Sequence, residues 1–120
     1  MRHRALLVAL LACTAATFLH HAHNAQFLDE YPNMPAWLSP PRVYAAWLGA
    51  SVIGFAGYAL LGRGLRIAGL GLLTVYGIYA LDGLTHYALA PISAHTLAMN
   101  LSILLEAAAG AALLIALLRR

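Results

Sequence analysis

The side chains that could carry chemistry are concentrated in two short stretches of an otherwise apolar chain. Residues 82–106 contain two acids, two histidines and an asparagine, and residues 20–24 contain three further histidines and an asparagine. Carboxyl and imidazole groups serve as general acids and bases, and they are also ligands of transition metals. The two stretches therefore predict acid–base chemistry or metal binding at the place where the fold brings them together.

The composition of the chain is that of a membrane protein. Of its 120 residues, 62% are hydrophobic and only 9% are charged, whereas a soluble domain carries roughly 25% charged residues. Such a chain has too few charged groups to cover a surface that faces water. The basic residues are all arginines, placed singly or in pairs, so the net charge of +3 does not predict nucleic-acid binding. The single cysteine, Cys13, excludes an intrachain disulfide and a CxxC metal site.

Four segments are long and apolar enough to cross a bilayer, which takes about 20 residues of α-helix. The predicted spans are residues 5–22, 43–61, 65–89 and 94–118. A long loop over residues 24–42 follows the first span, and two short turns join the others. Ser39 before Pro40 favours a helix start there, and Ser93 is the predicted N-cap of the last helix. The sequence therefore predicts one all-α domain, an integral membrane four-helix bundle.

The arginines predict the direction in which the helices cross. Six of the seven lie before the first span, at the turn between the second and third, or after the fourth, and Arg42 alone lies in the long loop. Because arginine favours the cytoplasmic side, both termini are predicted to be cytoplasmic and the long loop to lie outside. An arginine-only chain rich in Ala and Leu is typical of a GC-rich bacterial genome, so the predicted location is a bacterial inner membrane.

The first span has a second interpretation, as a signal peptide. The stretch "MRHR" followed by "ALLVALLA" fits the basic and apolar regions of such a peptide, and "LLAC" resembles a lipoprotein cleavage site. Apolar residues nevertheless continue past Cys13 to Leu19, and no clean cleavage site follows. We therefore predict that the first helix is retained. A late cleavage would leave three helices and remove the histidines of residues 20–23.

With this orientation, polar side chains of three helices meet in the outer half of the bundle. Asp82 and His86 are four residues apart on the third helix, so they are expected to share a face of it. On the fourth helix, a polar stripe runs inward from His95 to Glu106, which lies about 16 Å deeper. Residues 20–24 end the first helix at the same outer level. The sequence therefore predicts one polar site.

The two acids within the predicted spans need an explanation, since no arginine lies near them. An acid in the membrane interior costs roughly 2.5–3.5 kcal/mol on insertion scales. Asp82 and Glu106 are therefore expected to be neutral carboxyl groups, to pair with a protonated histidine, or to bind a cation. The helix dipole favours a neutral imidazole at His95, which is the form that binds metal.

The long loop over residues 24–42 is expected to cover this site, because it is the only long loop on the predicted outer side. Its aromatic residues Tyr31 and Trp37 are expected to lie near the outer membrane interface, together with Tyr44 and Trp47.

One class of function consistent with these residues is a metal centre. Nitrogen and oxygen ligands without thiolate suit Zn, Cu, Fe or Mn, so the cofactor would be a transition-metal ion or haem. The candidate metal ligands are His20, His21, His23, Asp82, His86, His95 and Glu106. The candidates for contact with a cofactor such as haem are His20, His21, His86 and His95. The sequence contains no H-E-x-x-H and no C-x-x-C-H motif, so neither cofactor is specified further.

Two other classes of function remain open. The first is a metal-free pocket for a small apolar molecule, with Asp82, His86 and Glu106 as candidate catalytic acid–base groups. The second is a structural or accessory subunit whose polar residues only hold helices together, either beside another membrane protein or in a homo-oligomer. Whether the protein is an enzyme is left open by the sequence.

In size and topology, the predicted bundle is similar to small four-helix bacterial membrane proteins of the DoxX type. It is also similar to the sterol-isomerase-like membrane folds, in which buried His, Glu and Asn act on an apolar ligand without a metal. The resemblance implies a four-helix architecture. It carries no residue of either family over to this chain, because no motif of either family occurs in it.

Overall fold

The structure, a computed structural model, describes residues 2–120, and all regular elements in that range are helical. The α-helices are α1 (Arg2–Gln26), α2 (Pro40–Gly62), α3 (Arg66–Tyr79), α4 (His86–Leu89) and α5 (Leu97–Leu118). Short 3₁₀ turns lie at Leu28–Glu30, Asp82–Thr85 and Ile92–Ala94. Within the described range, the stretches long and apolar enough to cross a membrane are His3–Gln26, Pro40–Gly62, Arg66–Leu89 and Leu97–Leu118. The prediction of an all-α chain with four potential membrane spans is confirmed.

The four long helical stretches form a ring in which neighbours run in opposite directions. α1 packs against α2 and α5, and α3 also packs against α2 and α5. One end of the bundle, here called the long-loop end, consists of residues 27–39 and 90–96, and Asn33 Nδ2 donates across it to the carbonyl oxygen of Leu89 (2.9 Å). At the other end, the termini end, Arg66 donates to the carbonyl oxygen of Arg120 (3.0 Å).

An apolar core fills the half of the bundle nearer the termini end. Its buried residues are Leu6, Leu10, Cys13, Ala50, Leu73, Tyr76, Ala80 and Leu113. α2 and α3 approach most closely where two glycines meet. A Cβ atom on Gly57 would lie 2.9 Å from the carbonyl oxygen of Gly69, so this helix contact depends on the missing side chain. Small residues allow such close approach of helix backbones in membrane proteins.

Two helix boundaries differ from the predicted ones. α1 continues to Gln26, so the long loop is shorter than expected and occupies residues 27–39. α5 begins at Leu97, and its N-cap is Thr96 rather than Ser93, because the Thr96 hydroxyl accepts a hydrogen bond from the backbone N–H of Met99 (3.2 Å). Ser39 before Pro40 does occupy the N-cap position of α2, although its side chain makes no capping hydrogen bond.

The third predicted span is not one continuous α-helix. α3 ends at Tyr79, and the 3₁₀ turn over Asp82–Thr85 leads into α4. A 3₁₀ helix has about 3.0 residues per turn, so residues four apart are offset by about 120° rather than by the roughly 40° of an α-helix. Asp82 and His86 both line the cavity described below, but the 3₁₀ turn leaves them unequally buried: Asp82 is exposed, whereas His86 is only 6% exposed.

Candidate functional site

A cavity of about 290 Å³ lies between the helices near the long-loop end. α1, α2, the segment from α3 to α4, α5 and the long loop all contribute to its lining. Its acidic, imidazole and amide lining groups are His20, His21, Asn24, Asp82, His86 and Glu106. The fold thus brings polar residues of the two chemistry-bearing stretches of the sequence into one cavity.

Glu106 is the most buried ionisable group of this cavity, with 1% of its surface exposed. Its Oε1 lies 3.4 Å from Nδ1 of His21, and its Oε2 lies 3.7 Å from Nε2 of His20. These separations are within ion-pair range, but neither oxygen has a hydrogen-bond partner among the described residues. A buried polar atom without a partner costs about 1–3 kcal/mol. The cavity lining therefore contains a buried carboxyl group whose hydrogen-bonding capacity the described side chains leave unsatisfied.

Gly83 allows the Glu106 carboxyl group to reach this position. A Cβ atom on Gly83 would overlap with Oε2 of Glu106, and it would lie 3.7 Å from Nε2 of His20. The residue is buried in the 3₁₀ turn between α3 and α4. Because glycine has no side chain, the carboxyl group can lie directly against the backbone of this turn.

Ser102 on α5 contacts His20. Its hydroxyl lies 3.0 Å from the carbonyl oxygen of Met99, to which it can donate, and 3.1 Å from Nδ1 of His20. When the hydroxyl donates to Met99, its oxygen accepts from His20, and Nδ1 carries the hydrogen of the neutral ring. In the neutral ring, Nε2 is then the unprotonated nitrogen, and this is the atom nearest to Oε2 of Glu106.

His21 is held by hydrogen bonds at both ring nitrogens. Its Nδ1 donates to the backbone carbonyl oxygen of Thr17 (2.7 Å), and its Nε2 is 2.7 Å from the Tyr79 hydroxyl, which donates to it in the neutral ring. The ring also stacks on that of Tyr79, with centroids 5.6 Å apart. His21 is thus a positioned neutral side chain and has no free nitrogen for a metal ion.

His86 and His95 each have one buried ring nitrogen that lacks a partner among the described residues. Asn24 Nδ2 donates to Nε2 of His86 (3.3 Å), so the unpartnered Nδ1 of His86 carries a hydrogen. His95 donates from Nδ1 to the carbonyl oxygen of Pro91 (2.9 Å), so its unpartnered Nε2 is an acceptor. His86 lines the cavity and His95 does not, although their ring centroids are 6.1 Å apart.

The long loop covers the cavity, as the sequence predicted. Met34, Trp37 and Leu38 line it from this side. Tyr31 attaches the loop to α1. Its side chain is 3% exposed, and its hydroxyl forms a hydrogen bond with Nδ1 of His23 (2.8 Å). Burial raises the pKa of the Tyr31 phenol, so the hydroxyl keeps its proton. The expectation that Tyr31 faces the membrane interface is wrong, because its ring packs inward, 5.0 Å from that of His86.

A layer of hydroxyl groups separates the cavity from the apolar core. The Tyr76 hydroxyl donates to Oγ1 of Thr14 (3.1 Å), and Trp47 donates from Nε1 to Oγ1 of Thr17 (3.2 Å). Thr17 in turn donates to the carbonyl oxygen of Thr14 (3.0 Å). The Trp47 ring is therefore anchored to α1 through its Nε1.

The structure brings five of the seven predicted metal-site residues into the lining of the cavity and leaves two outside it. His20, His21, Asp82, His86 and Glu106 line the cavity, whereas His23 and His95 lie beside it. Within residues 2–120, no three side chains of His, Cys, Asp or Glu are grouped so that they could hold a metal ion. The predicted metal-ion site therefore lacks an assembled set of three ligands among the described residues.

Sequence reasoning missed two residues that shape the site, Tyr31 and Gly83. Nothing in the sequence around Tyr31 indicated that it would be buried, because its burial depends on how the long loop folds back over the bundle. Gly83 did carry a signal, since an isolated glycine within a helical segment often has a packing or functional reason.

The resemblance to DoxX-type and sterol-isomerase-like proteins remains one of size and topology. No protein-family model, curated protein sequence or solved structure matches this chain. Its function is therefore inferred from the geometry of its own cavity.

Proposed function

We propose that this is a multi-pass membrane protein that binds a small, mostly apolar molecule with one oxygen-containing polar group. The binding site is the cavity at the long-loop end. The observation that carries the proposal is the buried carboxyl group of Glu106, a residue that lines the cavity and whose two oxygens lack hydrogen-bond partners among the described residues. Four helical stretches with the length and composition of membrane spans support the membrane location.

The size and lining of the cavity suit such a ligand. Its volume of about 290 Å³ is near the lower end of the range of roughly 300–1,000 Å³ that is typical of ligand pockets. Met34, Val43 and Leu89 supply apolar walls. His86 offers an unpartnered N–H donor, and Glu106 offers an unpartnered carboxyl group. A carbonyl or hydroxyl oxygen on the ligand would satisfy both groups.

The alternative functions have less support. A metal-ion centre would need a group of three ligands that the described part of the chain does not assemble. A haem held by His21 would need a free ring nitrogen, and both nitrogens of His21 are engaged. A structural or accessory subunit, beside another membrane protein or a second copy of the chain, would need its polar residues to stabilise the bundle. That requirement conflicts with the unpartnered oxygens of Glu106.

We place the termini end in the cytoplasm and the cavity on the outer side of a bacterial inner membrane, with α1 retained. Alkaline phosphatase, which is active only outside the cytoplasm, is expected to be inactive when fused after Arg120. It is expected to be active when inserted after Asn33 in the long loop. The physical reason is that the arginines at the turn between α2 and α3 and after α5 favour the cytoplasmic side. Phosphatase activity from the fusion after Arg120 would contradict this orientation.

Ligand binding is expected to raise the unfolding temperature of the purified protein. Menthone and menthol, which join an apolar ring to one oxygen, serve as probes. A ligand at 100 times its Kd stabilises the folded state by about 2.7 kcal/mol. The shift is expected to disappear in Ala46→Phe, since Ala46 lines the cavity from α2 and the larger ring would fill it.

The matched control is Ala45→Phe. Ala45 is the preceding residue of α2, is exposed and does not line the cavity, so this variant is expected to respond to menthone as the parent does. p-Menthane, the same carbon skeleton without oxygen, is expected to give a smaller shift. If neither menthone nor menthol stabilises the parent, the cavity does not bind this class of ligand and the subunit alternative gains support.

A further inference from the structure

We propose that the termini end of the bundle binds an anionic phospholipid. The binding site is the arginine cluster, which consists of Arg63, Arg66, Arg119 and Arg120. The first two lie at the turn between α2 and α3, and the other two follow α5. The inference rests on the membrane location proposed above and is independent of the cavity and its ligand. It adds a second binding site, at the opposite end of the bundle.

A hydrogen bond joins the two segments of the arginine cluster. Nη2 of Arg66, at the start of α3, donates to the backbone carbonyl oxygen of Arg120 (3.0 Å). Arg63 comes three residues before Arg66 in the chain, and Arg119 directly precedes Arg120. The fold therefore brings four arginines from two distant segments of the sequence to one corner of the bundle.

No acidic residue balances the charge of this cluster. The acids of the chain lie in the long loop or line the cavity, and they are Asp29, Glu30, Asp82 and Glu106. The guanidinium groups of Arg63 and Arg119 are exposed and have no hydrogen-bond or ion-pair partner among the described residues. Like charges at one corner repel each other, and a bound anion offsets that repulsion. Because the planar guanidinium group matches the oxygens of a phosphate, the cluster suits a phosphate-bearing ligand.

The apolar side chains beside the arginines favour a lipid over a free phosphate. Ile67, next to Arg66, is 90% exposed, and Leu118, next to Arg119, is 86% exposed. They are the two most exposed large apolar side chains among the described residues. The acyl chains of a phospholipid would cover such side chains, whereas a free phosphate would leave them bare. The corner thus offers cations to a lipid headgroup and apolar surface to the lipid chains.

Lipid binding gives these arginines a role after membrane insertion, in addition to their role in orientation. During insertion, an arginine acts through its charge, wherever it lies on the cytoplasmic side. A lipid site depends in addition on where the guanidinium groups lie relative to one another and to apolar surface. Groups of basic residues at the cytoplasmic ends of membrane helices bind anionic headgroups in this way. A lipid that contacts both segments of the cluster would also hold α3 to α5 at this end.

The test titrates the whole chain, purified in a nonionic detergent, with dioleoylphosphatidylglycerol or dioleoylphosphatidylcholine. The two lipids share their acyl chains and phosphodiester group and differ in net charge, and native mass spectrometry measures the lipid bound. An arginine near an anionic lipid surface contributes about a fivefold gain in affinity. We therefore expect Arg63→Gln and Arg119→Gln each to weaken phosphatidylglycerol binding about fivefold, and the double variant about 25-fold. Phosphatidylcholine is expected to bind more weakly to the parent and to respond less to the substitutions.

The matched control is Arg42→Gln. Arg42 is an exposed arginine in the first turn of α2, at the long-loop end, so its loss should leave phosphatidylglycerol binding at the parent affinity. Arg119→Lys keeps the charge and loses the planar guanidinium group, so its affinity is expected to lie between those of the parent and Arg119→Gln. Glycerol 1-phosphate, which has the phosphate without acyl chains, is expected not to displace the bound lipid.

Three results would overturn the lipid site. They are equal affinity of the parent for the two lipids, parent affinity for phosphatidylglycerol in the double variant, and an equal loss of affinity in Arg42→Gln. Displacement of the lipid by glycerol 1-phosphate would show a phosphate site instead and would also overturn it. The menthone-induced shift in unfolding temperature separates this inference from the cavity function, since the double variant should keep that shift. A parent that binds menthone without preferring phosphatidylglycerol would overturn the lipid site alone.

Discussion

Replacing Glu106 by methionine is expected to make the protein more stable and to abolish ligand binding. Both carboxyl oxygens are buried and lack hydrogen-bond partners among the described residues. Methionine has a similar length and shape and carries no group that needs a partner. Removing an unsatisfied buried polar group recovers about 1–3 kcal/mol. Equilibrium unfolding and the menthone-induced shift in unfolding temperature measure the two effects on the same sample.

The control for this substitution is Glu30→Met. Glu30 is an exposed acid of the long loop, and surface substitutions usually change stability by less than about 0.5 kcal/mol. The same experiment distinguishes the proposed function from the subunit alternative. If Glu106 held helices together, Glu106→Met would destabilise the bundle instead. A loss of more than about 1 kcal/mol would therefore favour the structural role, since it corresponds to a typical net hydrogen bond.

Replacing Gly57 by alanine is expected to destabilise the bundle by about 1–3 kcal/mol, the usual cost of overpacking a close contact. The new Cβ atom would lie 2.9 Å from both the Gly69 carbonyl oxygen and the Leu73 nitrogen. Both are backbone atoms, so α2 and α3 would have to move apart. The loss should appear as a lower unfolding temperature.

Gly49→Ala is the matched control on the same helix. A Cβ atom on Gly49 would have no neighbour within 4 Å. Alanine is favoured over glycine within a helix by roughly 0.5–1 kcal/mol, so this variant should be as stable as the parent or more stable. Opposite signs for the two substitutions would support the packing of α2 on α3. Equal, small effects would contradict it.

The helical architecture could be predicted because the apolar segments have the length of membrane spans. The interruption after Tyr79 could not, because residues 80–89 contain no proline that would end an α-helix. The 3₁₀ turn accompanies a tertiary contact, in which Gly83 lies against the carboxyl group of Glu106 on α5. A periodicity argument assumes one helix type along the whole span, so it did not predict that Asp82 is exposed while His86 is buried.

The sequence could predict only the depth along the bundle at which the candidate site lies. Counting residues along antiparallel helices placed Glu106 and the histidines near residue 20 in the same half. The chemistry of each group depends on its hydrogen-bond partners, such as Ser102 for His20 and Asn24 for His86. Those partners lie on other helices, so their pairing is set by the rotation of each helix about its axis, which an amphipathic pattern defines only coarsely.

The apolar core beneath the hydroxyl layer has a consequence for the movement of protons through the bundle. Leu6, Leu10, Leu73 and Leu113 are at most 1% exposed, and they fill the bundle between the hydroxyl layer and the termini end. Protons move along chains of hydrogen-bonding groups, and these side chains offer none. In the membrane location proposed above, the protein can therefore hold Glu106 and the histidines of the cavity among its helices without offering protons a path from the cavity to the termini end.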